Sequence, residues 1–175
     1  VVVVDTHRVM LCECPELLDK TSRIVVFDHH RKTSGAIENY SLTYHEAYAS
    51  STSEMVTEML MYIKGVRLSR AEIEGLLAGI TVDTKNFAFK TGIKTFEAAA
   101  FLKKNGADTI SVRRLFKSSF DAYMAKTEIV RTAEIIFDNM AISELDREVE
   151  NPSVLIAQAA DELLSIDGIE VSYVL

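Results

Sequence analysis

The sequence predicts an α/β fold: a parallel-sheet domain with flanking helices, followed by the start of a smaller α/β domain. Two short apolar runs rich in β-branched residues, Val1–Val4 and Ile24–Phe27, are typical of strands buried on both faces of a parallel sheet. Between them, Pro15–Lys20 predicts a short helix with proline at its first position. This strand–helix–strand order predicts a right-handed crossover. Leu42–Glu46 predicts a further strand.

Helical patterns dominate the sequence after residue 50. Ser51–Glu54 and Ser69–Glu72 each resemble a capping box, in which a serine precedes the helix and a glutamate follows three residues later. Thr95 is predicted to cap a third helix that runs through Leu102. A long helix is predicted from about Asp121 to Phe137, from the helical spacing of its apolar residues.

Residues 139–175 return to a mixed pattern. Strands are predicted at Met140–Ser143, Val154–Ala157 and Val171–Leu175, with a helix near Asp161–Leu164. We therefore expect a first domain over residues 1–120, a connector helix over residues 121–138 and the beginning of a second domain over residues 139–175. Both ends interrupt apolar runs, and we expect the chain to be a fragment of a longer parent.

The composition excludes several classes of protein. The chain is 48% hydrophobic and 26% charged, which is typical of a globular protein. Its net charge of −7 argues against binding of a long nucleic acid, although bound divalent cations can still supply charge for a small phosphate ligand. No apolar run approaches the roughly 20 residues that span a bilayer. Cys12 and Cys14 lie too close together to staple a fold, so free thiols in a reducing, cytoplasmic setting are expected.

Acidic residues and histidines follow the first two predicted strands. Asp5 comes directly after one strand, and Asp28-His29-His30 ends the next. Because ligand sites of open α/β sheets lie at the carboxyl ends of the strands, these side chains are expected around one crevice. Asp83 follows an apolar helix and adds another candidate carboxylate. Carboxylates with imidazoles suit Mn²⁺, Fe²⁺, Co²⁺ or Zn²⁺ better than Ca²⁺. Taken singly, each residue is also compatible with a turn or a cap.

Two further groups have both a structural and a functional interpretation. His45, inside a predicted strand, is expected to be a packed or surface histidine rather than a ligand. Ser51 and Thr52 lie at a helix N-terminus, where free N–H groups and the helix dipole favour an anion. Simple capping is the favoured interpretation of these two residues.

Five ordered segments resemble the DHH phosphoesterase family and, within it, the GdpP-type cyclic di-AMP phosphodiesterases. The segments are Val3–Arg8, Val25–Arg31, Tyr48–Thr52, Leu77–Phe87 and Thr95–Leu102. The resemblance implies a metal-dependent phosphodiesterase that uses a metal-activated water to hydrolyse cyclic di-AMP to 5′-pApA. It also implies that the sequence holds a DHH domain followed by the beginning of a DHH-associated domain.

The resemblance implies a two-metal site that usually contains Mn²⁺. In that arrangement Asp5 bridges both metals, His29 and Asp83 ligate the second, and Asp28 orients His29. The family's first motif, which supplies one histidine and two aspartates to the metals, is expected before Val1. We therefore expect the 175-residue chain to be inactive alone.

For the substrate, the resemblance implies that His30 and Arg31 face the phosphate, with Ser51 and Thr52 as further phosphate-binding candidates. The implied partner is a cyclic dinucleotide. The parent is expected to be anchored to the cell membrane with this region facing the cytoplasm, without direct membrane contact from the chain itself. A homodimer is compatible with the sequence.

Two other functions stay open. One is a DHH relative with different substrates, such as an oligoribonuclease or a phosphatase of 3′-phosphoadenosine 5′-phosphate. The other is a nucleotide-binding module without catalysis. A substrate panel separates the first from the cyclic dinucleotide hypothesis.

Overall fold

The computed structural model describes residues 1–175, and the chain divides into two units, Val1–Phe116 and Lys117–Leu175. The first unit holds three strands and four α-helices, and the second holds three strands and two α-helices. This architecture confirms the predicted α/β class. None of the helices has the length and hydropathy that crossing a bilayer requires.

A three-stranded parallel sheet forms the base of the first unit. Strands β1 (Val2–Val4), β2 (Val25–Asp28) and β3 (Leu42–His45) pair in that order. The sheet packs on a core that includes Ile24 and Val26. All three strands run in the same direction, so their carboxyl ends lie at one edge of the sheet.

Two details of this sheet differ from the prediction. Strand β1 is an edge strand, and Val2 and Val4 are more than half exposed, so the expected burial on both faces is wrong for this strand. The helix between β1 and β2, Pro15–Lys20, is present but is a 3₁₀-helix without buried residues.

Four α-helices follow the sheet. They are α1 (Thr52–Tyr62), α2 (Arg70–Asp83), α3 (Ile93–Lys104) and α4 (Thr109–Leu115). Buried residues that include Ile80 and Leu102 form a core shared by α2, α3 and α4. Ser69 and Glu72 make the predicted capping box at α2. Ser51 caps α1 as predicted, because its hydroxyl oxygen accepts a hydrogen bond from the Glu54 amide.

The start of α3 corrects the prediction for Thr95. The helix begins at Ile93 with Gly92 as its N-cap, so Thr95 is the third helical residue rather than the cap. Its hydroxyl oxygen accepts from the Gly92 amide at 2.9 Å and donates to the Glu54 carboxylate at 2.6 Å. The Thr95 hydroxyl thus satisfies the amide of the N-cap residue, and its bond to Glu54 links α3 to α1.

Thr95→Val is expected to lower the free energy of unfolding by about 1–3 kcal/mol, because both hydrogen bonds disappear and a buried carboxylate loses a donor. Chemical denaturation of wild type and variant measures the change. The matched control is Thr81→Val in α2. The Thr81 hydroxyl donates only to the Leu77 carbonyl, one turn earlier in α2. We expect a change within about 0.5 kcal/mol for this control. Equal effects of the two substitutions would contradict the bridging role of Thr95.

The second unit contains a mixed sheet and two helices. Its elements are α5 (Phe120–Arg131), β4 (Glu134–Ile136), β5 (Met140–Ser143), α6 (Pro152–Leu163) and β6 (Val171–Val174). Strand β5 lies in the centre of the sheet, antiparallel to β4 and parallel to β6. Helices α5 and α6 pack through a core that includes Ile129 and Leu155.

Two predictions for this unit are wrong. The helix predicted over Asp121–Phe137 ends at Arg131, and the following Glu134–Ile136 forms a hairpin strand with β5. The turn places Phe137 and Asp138 at positive φ, so the apolar spacing that continued past Arg131 belongs to a strand and its turn. Residues 121–138 are therefore not one connector helix.

The strand predicted at Val154–Ala157 lies inside α6. Pro152 begins this helix, and Leu155, Ala159 and Leu163 bury one face at four-residue spacing. The helix predicted near Asp161–Leu164 is the end of the same element.

Candidate metal centre at the strand ends

Asp5, His29 and Asp83 converge at the carboxyl edge of the parallel sheet. His29 Nε2 lies 3.6 Å from Asp5 Oδ1 and 3.5 Å from Asp83 Oδ2. Two ligand atoms bonded to one ion at about 2.1 Å lie roughly 3–4 Å apart. Each carboxylate therefore lies at the distance from His29 Nε2 that separates two ligands of one cation. His30 borders this set, because one ligand atom each from Asp5, His29 and His30 lie within 4.8 Å of one another.

The strand ends place Asp5 and His29. Asp5 follows β1 directly, and its amide donates to the Phe27 carbonyl at 2.9 Å, which continues the pairing of β1 with β2. Its φ of 64° is in the left-handed region, which aspartate and asparagine tolerate better than most residues. His29 follows β2 and is mostly buried, and its Nδ1 lies 3.4 Å from the Ala49 carbonyl oxygen.

A strained turn follows Asp83, the last residue of α2. Lys85, Asn86 and Phe87 all have positive φ, which is unusual for consecutive residues other than glycine. The fully buried Thr84 holds the turn: its hydroxyl donates to the Ile80 carbonyl and accepts from the Phe87 amide. The end of α2, and with it Asp83, is therefore held in a defined position.

The electrostatics at Asp83 favour a cation. Burial raises the pKa of Asp83; His29 opposes this effect and the neighbouring Asp5 carboxylate adds to it. A raised pKa means that the charged form of Asp83 lacks sufficient positive compensation within the protein. A divalent ion would supply that charge, and metal ligands must be deprotonated to bind it. The donor set of two carboxylates and one imidazole therefore fits a transition metal such as Mn²⁺.

Asp28 bonds to two histidines, but neither is His29. Its Oδ2 lies 2.5 Å from His7 Nδ1, and its Oδ1 lies 2.7 Å from His30 Nδ1. The prediction that Asp28 orients His29 is therefore wrong. His29 Nδ1 lies 3.4 Å from the Ala49 carbonyl oxygen instead, although the His29 and His30 rings are in contact at a centroid distance of 4.5 Å.

Asp28 is fully buried, yet its carboxyl remains acidic. Burial alone would raise its pKa, but the hydrogen bonds from His30 and His7 outweigh burial and hold the pKa below its ordinary value. Sequence reasoning did not identify His7. The available signal was its position two residues after Asp5, at the same edge of the sheet.

The start of α1 lies beside this centre. Ser50, Ser51 and Thr52 are all buried, and the Ser51 hydroxyl is engaged as the helix cap. The Thr52 hydroxyl oxygen is also buried but has no hydrogen-bond partner. At a helix N-terminus, a buried and unsatisfied hydroxyl is well suited to a bound anion.

The Glu54 carboxylate holds the start of α1 through hydrogen bonds. Its Oε2 accepts from the Ser50 hydroxyl at 2.5 Å, the Ser50 amide at 3.3 Å and the Thr95 hydroxyl at 2.6 Å. The glutamate therefore does not return to the Ser51 amide as a full capping box would require. It braces the residue that precedes the helix cap instead.

His45 and Arg31 complete the candidate residues. His45 is a packed histidine, since its ring makes an edge-to-face contact with His7 at a centroid distance of 5.2 Å. Arg31 follows His30 and is exposed.

Comparison with known proteins shows what the chain is similar to. Residues 1–80 match the model of the DHH family, N-terminal domain. Over 175 residues the chain is 46% identical to the cyclic-di-AMP phosphodiesterase GdpP of Geobacillus thermodenitrificans, 43% to GdpP of Bacillus subtilis, and 41% to the cyclic-di-AMP phosphodiesterase PdeA of Listeria monocytogenes. These matches cover 98–99% of this chain and 27% of each relative, so the chain spans about a quarter of their length.

The fold is similar to that of an exopolyphosphatase-related protein from Bacteroides fragilis. The TM-score is 0.78 at 17% sequence identity, and the match covers 96% of this chain and 52% of the other. This likeness concerns the fold. Together with the family match and the whole-chain identities, it leads to one conclusion: residues 1–80 are similar to the N-terminal domain of the DHH family, and the whole chain is similar to part of the named phosphodiesterases.

Proposed function

We propose that the chain contributes to the catalytic site of a metal-dependent phosphodiesterase that hydrolyses cyclic di-AMP to 5′-pApA. The observation that carries the proposal is the convergence of Asp5 and Asp83 on His29, at 3.6 Å and 3.5 Å. The names of the relatives support the choice of substrate.

In this proposal Asp5, His29 and Asp83 hold a divalent cation, with Mn²⁺ as the proposed ion and a second ion held by further ligands outside the chain. When bound, such ions neutralise phosphate charge and activate water for attack. The strain in the turn after Asp83 and the buried position of His29 support a ligand set that is organised before the ion binds.

His30 and Arg31 are the proposed contacts to the substrate phosphate. The hydrogen bond from His30 Nδ1 to Asp28 directs the other ring nitrogen, Nε2, away from the protein interior. His30 can then donate a hydrogen bond to a phosphate oxygen or a proton to the leaving ribose oxygen. The Arg31 guanidinium can pair with phosphate oxygens through two parallel hydrogen bonds.

Thr52 is the proposed phosphate contact at the start of α1, and Ser51 is the N-cap of that helix. Thr52→Val is expected to weaken binding of cyclic di-AMP about tenfold, since one hydrogen bond to a charged phosphate is lost. The thermal midpoint is expected to stay unchanged or rise slightly, because the Thr52 hydroxyl has no partner in the protein. Calorimetric titration and thermal denaturation measure the two quantities.

The matched control is Thr57→Val, in the same helix. The buried Thr57 hydroxyl donates to the Ser53 carbonyl, so its removal is expected to affect stability and leave affinity unchanged. An unchanged affinity in Thr52→Val would exclude Thr52 from the phosphate site.

A substrate panel with Mn²⁺ tests the proposed reaction. It contains cyclic di-AMP, pApA, short RNA and 3′-phosphoadenosine 5′-phosphate, and uses the protein at the full length that its gene encodes. We expect cyclic di-AMP to be cleaved fastest, with linear 5′-pApA as the product. Preference for pApA or RNA would favour an oligoribonuclease, preference for 3′-phosphoadenosine 5′-phosphate would favour a phosphatase, and binding without turnover would favour a non-catalytic module.

We also propose that the 175-residue chain is inactive alone, because the family resemblance implies metal ligands beyond the three that it holds. Detectable hydrolysis by the purified chain would overturn this. The proposed setting is the cytoplasmic face of the membrane, within a longer anchored protein. The net charge of −7 supports a small substrate rather than a long nucleic acid.

A further inference from the structure

A partly buried series of hydrogen bonds runs from the loop at Thr33 through His7 and Asp28 to His30. We infer that His7 is a positioning residue, which sets the tautomer and orientation of His30 by fixing the hydrogen bonds of Asp28. The inference rests on the proposed role of His30 at the phosphate.

The geometry assigns a direction to each hydrogen bond. The Thr33 amide lies 3.1 Å from His7 Nε2, and a backbone N–H can only donate. His7 Nε2 is therefore the acceptor, and the ring proton of neutral His7 must be on Nδ1. That proton is donated to Asp28 Oδ2.

With Oδ2 occupied by His7, the other carboxylate oxygen is left for His30. Asp28 Oδ1 accepts from His30 Nδ1 at 2.7 Å and lies 3.3 Å from the His30 amide. Ionised carboxylate oxygens are acceptors only, so His30 must carry a proton on Nδ1. Nε2 is then the ring nitrogen left to meet a phosphate, and the His30 side chain is about half exposed.

A metal ion held by His7, Asp28 and His45 is the main alternative for this cluster. Ligand atoms of these three residues lie within 4.8 Å of one another. The 2.5 Å between His7 Nδ1 and Asp28 Oδ2 is a hydrogen-bond distance, however, and is shorter than the roughly 3 Å between two ligands of one ion. The cluster is therefore a hydrogen-bonded support for His30 and not a second metal site.

Asp28→Asn provides a sharp test, because asparagine keeps the shape of Asp28 but has only one acceptor oxygen. If the Thr33 amide holds His7 in its tautomer, we expect the introduced asparagine to turn its oxygen to His7 and its NH₂ group to His30, because the bond from His7 to Asp28 is far shorter than the one from the His30 amide, 2.5 Å against 3.3 Å. His30 is then forced to accept on Nδ1 and to carry its proton on Nε2. If His7 were not held, it would change tautomer instead and leave His30 as it was.

Long-range ¹H–¹⁵N correlation spectra of the histidine side chains report each tautomer directly. They are recorded on the metal-free chain at pH 8, where an unperturbed imidazole is neutral. We expect Nδ1–H on His7 and His30 in the wild type, and Nε2–H on His30 in Asp28→Asn. The double variant Asp28→Asn with His7→Leu should restore Nδ1–H on His30, since the introduced amide is then free to turn its oxygen to that ring. A wild-type His30 with Nε2–H, or a His30 that does not change in Asp28→Asn, would overturn the inference.

Turnover provides the second readout, with the full-length protein. His7→Leu is expected to lower kcat for cyclic di-AMP about 10- to 100-fold with little change in KM, and His7→Asn to recover much of the loss because its amide can donate from near the Nδ1 position. Equal loss in His7→Asn and His7→Leu would overturn the positioning role. The spectra need neither metal nor substrate, so they test the tautomers even if the protein has no phosphodiesterase activity. Absence of that activity would refute the proposed function and not the tautomer assignment.

Discussion

Asp5→Asn is expected to lower Mn²⁺-dependent hydrolysis of cyclic di-AMP by the full-length protein about 10³-fold or more, because loss of the charge of this proposed metal ligand removes several kcal/mol of transition-state stabilisation. The substitution should leave the fold intact. Asparagine tolerates the φ of 64° at this position, and the Asp5 side chain is 57% exposed. Steady-state kinetics and calorimetric titration with Mn²⁺ measure the two consequences.

The matched control for Asp5 is Asp19→Asn, an exposed carboxylate in the 3₁₀-helix between β1 and β2. It changes net charge equally, and we expect wild-type rates and Mn²⁺ affinity. Wild-type turnover and unchanged Mn²⁺ binding in Asp5→Asn would remove Asp5 from the ligand set. Loss of activity in both variants would point to net charge rather than to ligation.

Gly79→Ala is expected to destabilise the first unit by about 1–3 kcal/mol, the usual effect of forcing extra volume into a packed contact. Helices α1 and α2 approach closely at this position, and a Cβ on Gly79 would lie 2.1 Å from Ser53 Oγ and 2.9 Å from Ser53 Cβ. Because Ser53 lies in the first turn of α1 and Asp83 ends α2, the same contact positions the proposed phosphate-binding segment against the proposed metal ligand Asp83. Chemical denaturation measures the change in stability.

Gly75→Ala is the internal control, one turn earlier in the same helix. A Cβ there meets nothing within 4 Å, so the higher helix propensity of alanine should stabilise the protein by up to about 1 kcal/mol. Opposite signs for the two substitutions are the expected result. Ser53→Gly should relieve much of the clash in a Gly79→Ala background. If Gly79→Ala stabilised the protein as Gly75→Ala does, the close approach of the two helices would be refuted.

Much of the candidate site was predictable because it depends on sheet topology. Apolar β-branched runs identified β1 and β2, and parallel strands bring their carboxyl ends to one edge. That rule alone placed Asp5 and His29 together. Asp83 was harder, since it ends a helix: the residue pattern offered it only as a further candidate carboxylate, and the family resemblance implied its role as a ligand.

The errors have a common cause. The strand expected at Val154–Ala157 is helical because Pro152 can begin a helix, and burial of Leu155 with Ala159 favours that helix. The helix expected to continue past Arg131 ends because Glu134–Ile136 pairs with β5. In both segments the local apolar spacing fitted two structures, and contacts distant in sequence selected one.

The sequence by itself determined the α/β class, the edge of the sheet at which the chemistry lies and the residue types that gather there, because these follow from short-range patterns and from the direction of parallel strands. Only the tertiary structure decided which groups bond to one another. Asp28 pairs with His7, 21 residues away, and with His30 rather than with its neighbour His29. Such pairings depend on the direction of each side chain after the strand ends and on the loops that cover the strand end. Packing of the whole unit determines these two features.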